Sequence, residues 1–179
     1  YTGWYTLSLH DALPIYWNPS KYAFIENTAG FALSYTPWLA KLSTDINLTS
    51  LMGYYKLDDI QSLSASMRYF SLGEVILRSM LDDPGYSIRP YEMELDVAYS
   101  RLLSERFSMG VSLRYILSDL MSGDDPAGNA FSADIAGYYN TPVYFGRERG
   151  SVALGFNVSN IGSKISYDGG NNYYFLPAN

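Results

Sequence analysis

Polar and apolar residues alternate one by one along most of the chain. Leu63, Ala65, Met67 and Tyr69 interleave with Ser62, Ser64, Ser66 and Arg68, and Met93, Leu95, Val97 and Tyr99 with Glu94, Asp96, Ala98 and Ser100. Phe107, Met109, Val111, Leu113 and Tyr115 oppose Ser108, Gly110, Ser112 and Arg114; Val152, Leu154, Phe156 and Val158 oppose Ala153, Gly155, Asn157 and Ser159. Successive side chains of an extended chain point to opposite faces, so a period of two predicts strands with one greasy face and one small or polar face. No helical stripe competes with this pattern.

The pattern predicts seven strands, near residues 30–36, 45–56, 61–72, 92–101, 107–117, 131–140 and 151–159. Most approach the roughly 9 to 11 residues that a tilted strand needs to cross a bilayer, whereas strands of soluble proteins average about 5 to 6. Asp58-Asp59 and Ser104-Glu105-Arg106 read as tight turns, while 73–91, 118–130 and the segment after Asn160 are longer and rich in Gly, Pro and Asp. Outer-membrane barrels join their strands by short periplasmic turns and long external loops, and the alternation fits if the first strand runs outward. On that reading 37–44 is a shorter external connection and 141–150 a rather long periplasmic one.

Composition sharpens the choice. Charged residues make up 17% and aromatic residues 16%, with 18 tyrosines, an unusual surface for a soluble domain. The net charge of −6 argues against a nucleic-acid-binding domain. With no cysteine there is no disulfide framework, thiolate metal site or thiol nucleophile. A membrane helix needs about 20 apolar residues in a row, and no run without Asp, Glu, Lys or Arg is longer than that from Asn27 to Ala40, which is broken by Gly30 and Pro37. Tyr35, Tyr54, Tyr55, Tyr69, Tyr99, Tyr115, Tyr138 and Tyr139 sit near strand ends, where an apolar ring with a wet hydroxyl suits a lipid–water boundary. Asp96, Arg114 and Asp134 fall on the polar face, where a lumen solvates them. A soluble antiparallel sandwich also alternates, but it calls for more charge on its outer face and shorter strands.

The fold expected is therefore all-β: a transmembrane antiparallel up-and-down β-barrel. Such barrels start at about 8 strands and tolerate no free edge in lipid, so about seven strands read as a fragment. The chain starts at Tyr1 rather than Met. The string Thr6-Leu7-Ser8-Leu9-His10-Asp11-Ala12-Leu13-Pro14-Ile15 back-translates into what resembles a common short-read sequencing adapter, and residues 1–15 are expected to be an adapter-derived artefact. The only histidine goes with them.

Little in the chain carries reaction chemistry. No P-loop, dinucleotide fingerprint, nucleophile elbow or HExxH helix occurs. Asp82-Asp83-Pro84-Gly85 and Asp124-Asp125-Pro126 lack the spacing of a calcium loop and read as solvated turn acids. Glu94 and Asp96 share a strand face and are candidates for paired acid and base work, although lumen-facing acids are the commoner reading. The sequons at Asn47 and Asn157 lie inside predicted strands.

Longer strings are more specific. Tyr35-Thr36-Pro37-Trp38-Leu39, Gly53-Tyr54-Tyr55-Lys56-Leu57-Asp58-Asp59, Ser64 to Glu74, Leu95 to Ser100, Leu113 to Ile116 and Asn157 to Gly170 together resemble the PorV family of type IX secretion outer-membrane proteins. Asn18-Pro19-Ser20 is similar to the Asn-Pro-Ala element of the wider FadL-like barrels. The resemblance runs from about Trp17 to the end. It implies a barrel of about fourteen strands, of which residues 16–179 are the N-terminal half, in a Gram-negative outer membrane. It also implies a shuttle that takes secreted cargo by its C-terminal signal domain from the translocon barrel to the surface attachment machinery and its sortase. The resemblance carries over no catalytic residue, cofactor or metal ligand, and it leaves substrate-binding residues unassigned, within the external loops 73–91, 118–130 and 160–177. A FadL-like transporter of hydrophobic compounds is the competing function, since a shared fold does not fix function. An enzyme would need an activated Ser or Asp, and with no authentic histidine that reading is weak.

Overall fold

The computed structural model describes residues 18–38, 45–78, 85–120, 127–146 and 148–165. Residues 1–15, expected to be foreign to the protein, lie outside the described residues, as do Asp82, Asp83, Asp124 and Asp125. A short 3-10 helix, Pro19–Phe24, precedes β1 (Ala29–Pro37), β2 (Ile46–Lys56), β3 (Gln61–Leu72), β4 (Val75–Leu77), β5 (Tyr86–Ile88), β6 (Tyr91–Ser104), β7 (Phe107–Asp119), β8 (Gly128–Phe145) and β9 (Glu148–Gly162). Seven of these strands form one sheet in the order β1-β2-β3-β6-β7-β8-β9, and β4 and β5 pair separately. All pairings are antiparallel, so the main sheet is an up-and-down meander. Its strands are the seven that the alternation predicts. The sheet does not close within the described residues, as expected of a barrel fragment. The three-residue strands of the β4–β5 hairpin are too short to leave a periodic signal. Among the described residues no helix is long and apolar enough to cross a membrane.

The two faces are inverted relative to a water-soluble sheet. Phe31 and Leu113 are each 71% exposed, while Ser62 and Ser108 are 0% exposed and Asp134 2%. A soluble sandwich hides its apolar face against a second layer; here it is the polar face that is covered. The cover is the 3-10 helix, which packs on β3, β6, β7 and β8. Its Tyr22 ring meets Tyr54 of β2 at 5.7 Å, and the Asn18 side chain reaches the Phe156 carbonyl of β9. Across a flat sheet β2 and β9 would be about 24 Å apart at ~4.8 Å per strand, and six 3-10 residues span only about 12 Å. The sheet curls around the helix.

The outer face carries two rows of aromatic rings. Tyr91 and Tyr99 on β6, Phe107 and Tyr115 on β7, and Phe131 and Tyr139 on β8 are spaced eight residues apart on each strand. The outward positions between them are Met93, Leu95 and Val97; Met109, Val111 and Leu113; and Ala133, Ile135 and Gly137. Eight residues span about 26 Å along a strand. Within the row at the long-connection end, Tyr69 stacks on Tyr91 at 5.5 Å and Tyr115 meets Phe131 at 4.8 Å.

Two sequence expectations need correction. Tyr54 and Tyr138 do not join the outer rows: they share the inner face with Ser64 and Ser108, their cross-strand partners, and meet Tyr22 and Phe24 of the 3-10 helix. The connection expected over 141–150 is instead mostly strand, because β8 runs to Phe145 and β9 starts at Glu148. Pro142 and Gly146 resemble loop punctuation, but β7 ends its pairing with β8 at Tyr139, so beyond that point β8 has a free edge, where proline is tolerated. The result is a two-stranded ribbon projecting past the sheet at its short-turn end.

Candidate functional site

The densest chemistry lies on the inner face, around Arg114. Asp96 stands directly across the β6–β7 ladder from Arg114, and Glu94 stands across the β3–β6 ladder from Arg68. On β8, Asp134 pairs with Ser112, one diagonal step from Arg114. The side chains converge accordingly. Arg114 Nε lies 2.9 Å from Glu94 Oε1 and 3.4 Å from Asp96 Oδ2, and its Nη2 lies 3.1 Å from Asp134 Oδ2. Arg68 Nη1 approaches Glu94 Oε2 at 3.6 Å. Two guanidinium groups thus serve three carboxylates, and the cluster keeps one formal negative charge.

Asn160 extends the cluster to the last strand. Between the pairs Ala133↔Ile161 and Ile135↔Val158 the register slips, leaving Ser159 and Asn160 opposite Asp134 alone. Such a bulge re-aims a side chain. Asn160 takes the left-handed conformation at φ 62°, its N–H donates to Asp134 Oδ1 at 2.8 Å, and its Oδ1 accepts from Arg114 Nη1 at 3.5 Å. The network therefore ties β3, β6, β7, β8 and β9 together across the inner face.

Below the cluster sits the N-terminal segment. Asn18 caps the 3-10 helix, its Oδ1 accepting from the Ser20 N–H at 3.1 Å and from the Ser20 hydroxyl. Its Nδ2 donates to the carbonyls of Gly137 at 3.1 Å and Phe156 at 3.4 Å, a cross-strand pair of β8 and β9. Ser108 Oγ donates to the Ser20 carbonyl at 2.7 Å. Two glycines make room: a Cβ on Gly110 would lie 2.8 Å from the Ser20 nitrogen, and one on Gly155 would lie 2.9 Å from Asn18 Nδ2. A narrow cleft between segment and cluster is lined by Pro19, Tyr22, Ser66, Asp96, Arg114 and Asp134.

The sequence placed Glu94, Asp96, Arg114 and Asp134 on the polar face, and the structure brings all four together. Glu94 and Asp96, weighed as a general acid and base pair, are both held by Arg114, an arrangement that clamps strands. Arg68 and Asn160 join them without having been singled out. Their signal was available in the parity of Arg68 and in the Asn160-Ile161-Gly162 string. Among the described residues no group of three or more His, Cys, Asp or Glu is placed to hold a metal ion.

Of the loops expected to bind partners, the described parts are the β4–β5 hairpin, residues 118–120 and 127–130 at the ends of β7 and β8, and residues 160–165. In the hairpin Arg89 Nη2 lies 3.7 Å from Glu74 Oε2, and the Ser87 hydroxyl donates to Glu74. Residues 79–84, 121–126 and 166–177 lie outside the described residues.

The family model of type IX secretion system protein PorV matches residues 5–179, which takes in every described residue and also most of the stretch expected to be foreign. No curated protein matches the chain. The match covers nearly the whole chain, and the inverted seven-stranded meander agrees with the fold expected from the sequence. The chain belongs to the PorV family, a component of the type IX secretion system.

Proposed function

We propose that the chain is part of an outer-membrane barrel that receives secreted proteins by their C-terminal signal domains as they leave the translocon and presents them to the surface attachment machinery. The family assignment supports the secretion role. Supporting the membrane site is the outer face, whose apolar band lies between two aromatic rows. At a tilt of about 40° those rows are about 20 Å apart along the membrane normal, close to the ~25 Å apolar band of such barrels. On this reading the turns at 57–60 and 105–106 and the β8–β9 connection after Phe145 face the periplasm, and the β4–β5 hairpin faces outward. Residues 16–179 then supply seven strands of a barrel of about fourteen, and residues 1–15 derive from an adapter.

The complete barrel, purified in detergent, is expected to retain proteins carrying type IX C-terminal signal domains and to release them when that domain is removed. Retention no greater than on an unrelated barrel of similar size overturns the proposal.

One observation favours a second reading, transport of hydrophobic compounds. At the long-connection end the inner face changes character: Ile46, Leu48, Phe70, Leu72 and Ile116 point inward and are half-buried. Binding of a fluorescent fatty acid by the complete barrel, lost on changing Leu48 and Phe70 to Asp, would support transport. Absence of binding leaves the shuttle alone.

A further inference from the structure

We infer that the segment Asn18–Phe24 is a former for the barrel wall: the strands are curled by being seated on it, and assembly of the complete barrel depends on that seating. The inference is independent of what the barrel carries.

Four observations converge on it. First, at the level of the segment the inner face offers few large apolar side chains to bend the sheet by packing against one another; buried positions on β3, β6 and β7 include Ser62, Ser64, Ala98, Ser100, Ser108 and Ser112. Faced with serine and alanine, this part of the wall has no apolar core to dictate its radius, and the apolar inner positions Ile46, Leu48, Phe70 and Leu72 lie toward the long-connection end. Second, the segment touches strands from β2 to β9, through Tyr22 on Tyr54 at one side and Asn18 on Phe156 at the other. Third, its polar atoms are matched to the wall rather than to solvent. The Asn18 amide spans the paired residues Gly137 and Phe156, Ser108 donates to the Ser20 carbonyl, and Lys21 Nζ lies 5.3 Å from the centre of the Tyr138 ring. Fourth, the wall is shaped to receive it, because a side chain at Gly110 or Gly155 would collide with Ser20 or Asn18.

Asn18 separates two roles. Its oxygen caps the 3-10 helix, and its nitrogen binds the wall. Asn18→Asp keeps the cap acceptor and replaces the donor with an oxygen facing two carbonyls. Gly155→Ala attacks the same contact from the opposite side.

The test uses the complete barrel, refolded from urea into detergent micelles and followed by the shift in gel mobility between boiled and unboiled samples. Ser118→Ala, an inner-face change on β7 away from the segment, serves as the control. Asn18→Asp and Gly155→Ala are expected to slow assembly roughly tenfold relative to wild type, and Ser118→Ala to leave the rate unchanged. A variant with residues 18–24 replaced by a Gly-Ser linker is expected to assemble more slowly still, and a synthetic peptide of residues 16–26 added in trans to restore the rate. Wild-type assembly rates in both point variants, or slowing no greater than in Ser118→Ala, overturn the inference. So does a linker variant whose rate the peptide leaves unchanged.

Discussion

The main-chain N–H of Asn160 donates to Asp134 Oδ1 at 2.8 Å, and this bond pins the bulge at which β9 shifts register against β8. The left-handed backbone at Asn160 suits Asn and Gly and is costly for a β-branched residue. Asn160→Gly is expected to change stability by under about 0.5 kcal/mol, whereas Asn160→Val costs about 1–2 kcal/mol. Asp134→Ala loses both the bulge bond and an Arg114 partner and is expected to cost about 2–3 kcal/mol. Urea midpoints of the complete barrel in micelles measure all three, and an Asn160→Val variant as stable as wild type would refute the strained bulge.

Arg114 sits between three carboxylates. Removing its charge leaves Glu94, Asp96 and Asp134 crowded on a covered face, with Arg68 the remaining cation of the cluster. Arg114→Met is expected to cost about 3–5 kcal/mol. Arg114→Lys should recover only part of the loss, since an ammonium cannot address several carboxylates with a planar fork of donors. Equal stability of the Met variant and wild type in urea titrations would show that the cluster contributes nothing.

The alternation of Leu63 with Ser64 or of Val111 with Ser112 makes the seven strands of the main sheet and their facing legible in the sequence, and leaves β4 and β5 unmarked. A strict period of two leaves one parity to decide, and the sparse charge of the polar set decided it. The inner contacts were less visible. Asn18 acts across more than a hundred residues on carbonyls of Gly137 and Phe156, and main-chain acceptors carry no sequence signal. Gly110 and Gly155 read simply as small members of the polar set, although each marks a close approach. Position near strand ends points Tyr54 and Tyr138 outward, whereas Tyr54 shares the parity of Ser50 and Tyr138 that of Asp134, and pairing with Ser64 and Ser108 puts both inside. The ribbon at 141–150 was obscured because Pro142 weighs as a breaker in sequence and not on a free edge.

Val111 lies midway between the Phe107 and Tyr115 rings of β7, faces outward and is 49% exposed. On the surface of a soluble sheet an arginine there would be nearly neutral. In a bilayer it sits close to the midplane, and Val111→Arg is expected to cost about 2–4 kcal/mol. Unfolding of the complete barrel from phosphatidylcholine vesicles measures the difference, and a cost below about 0.5 kcal/mol would place this face in water.

The β2–β3 turn gives a pH dependence. The Ile60 N–H donates to Asp58 Oδ1 at 2.9 Å and the Gln61 side chain donates to its other oxygen, and together they hold the Asp58 carboxyl below its ordinary range. A lowered folded value means that the turn's contribution is complete above the unfolded pKa of about 3.9 and fades as pH falls through the folded value. The stability difference between wild type and Asp58→Ala is therefore expected to stay constant from about pH 6 to 5 and to shrink below about pH 4. A difference that grows on acidification would contradict the assignment. Because the side chain is fully exposed, the effect is small and is best read as a paired difference.

Pro142 occupies the one kind of strand position where a missing donor is useful. The Asn140 N–H points toward β7, since it donates to the Arg106 carbonyl at 2.8 Å. Two residues on, the strand presents the same side, so the Pro142 nitrogen faces the direction in which β7 has already ended. Any other residue would place a free N–H there, on a ribbon whose next two residues are Val143 and Tyr144. Open edges of this kind pair with other chains, and proline blunts them. Pro142→Val is therefore expected to leave stability within about 0.5 kcal/mol of wild type while raising the dimer fraction of the detergent-solubilised barrel, measured by light scattering after gel filtration. Pairing through the ribbon makes a further demand: Val143→Pro in the Pro142→Val background, whose nitrogen faces β9 instead, should not return the protein to monomer. Restoring Pro142 should. A monomeric Pro142→Val variant at all concentrations would mean that the ribbon edge is guarded by something other than the proline.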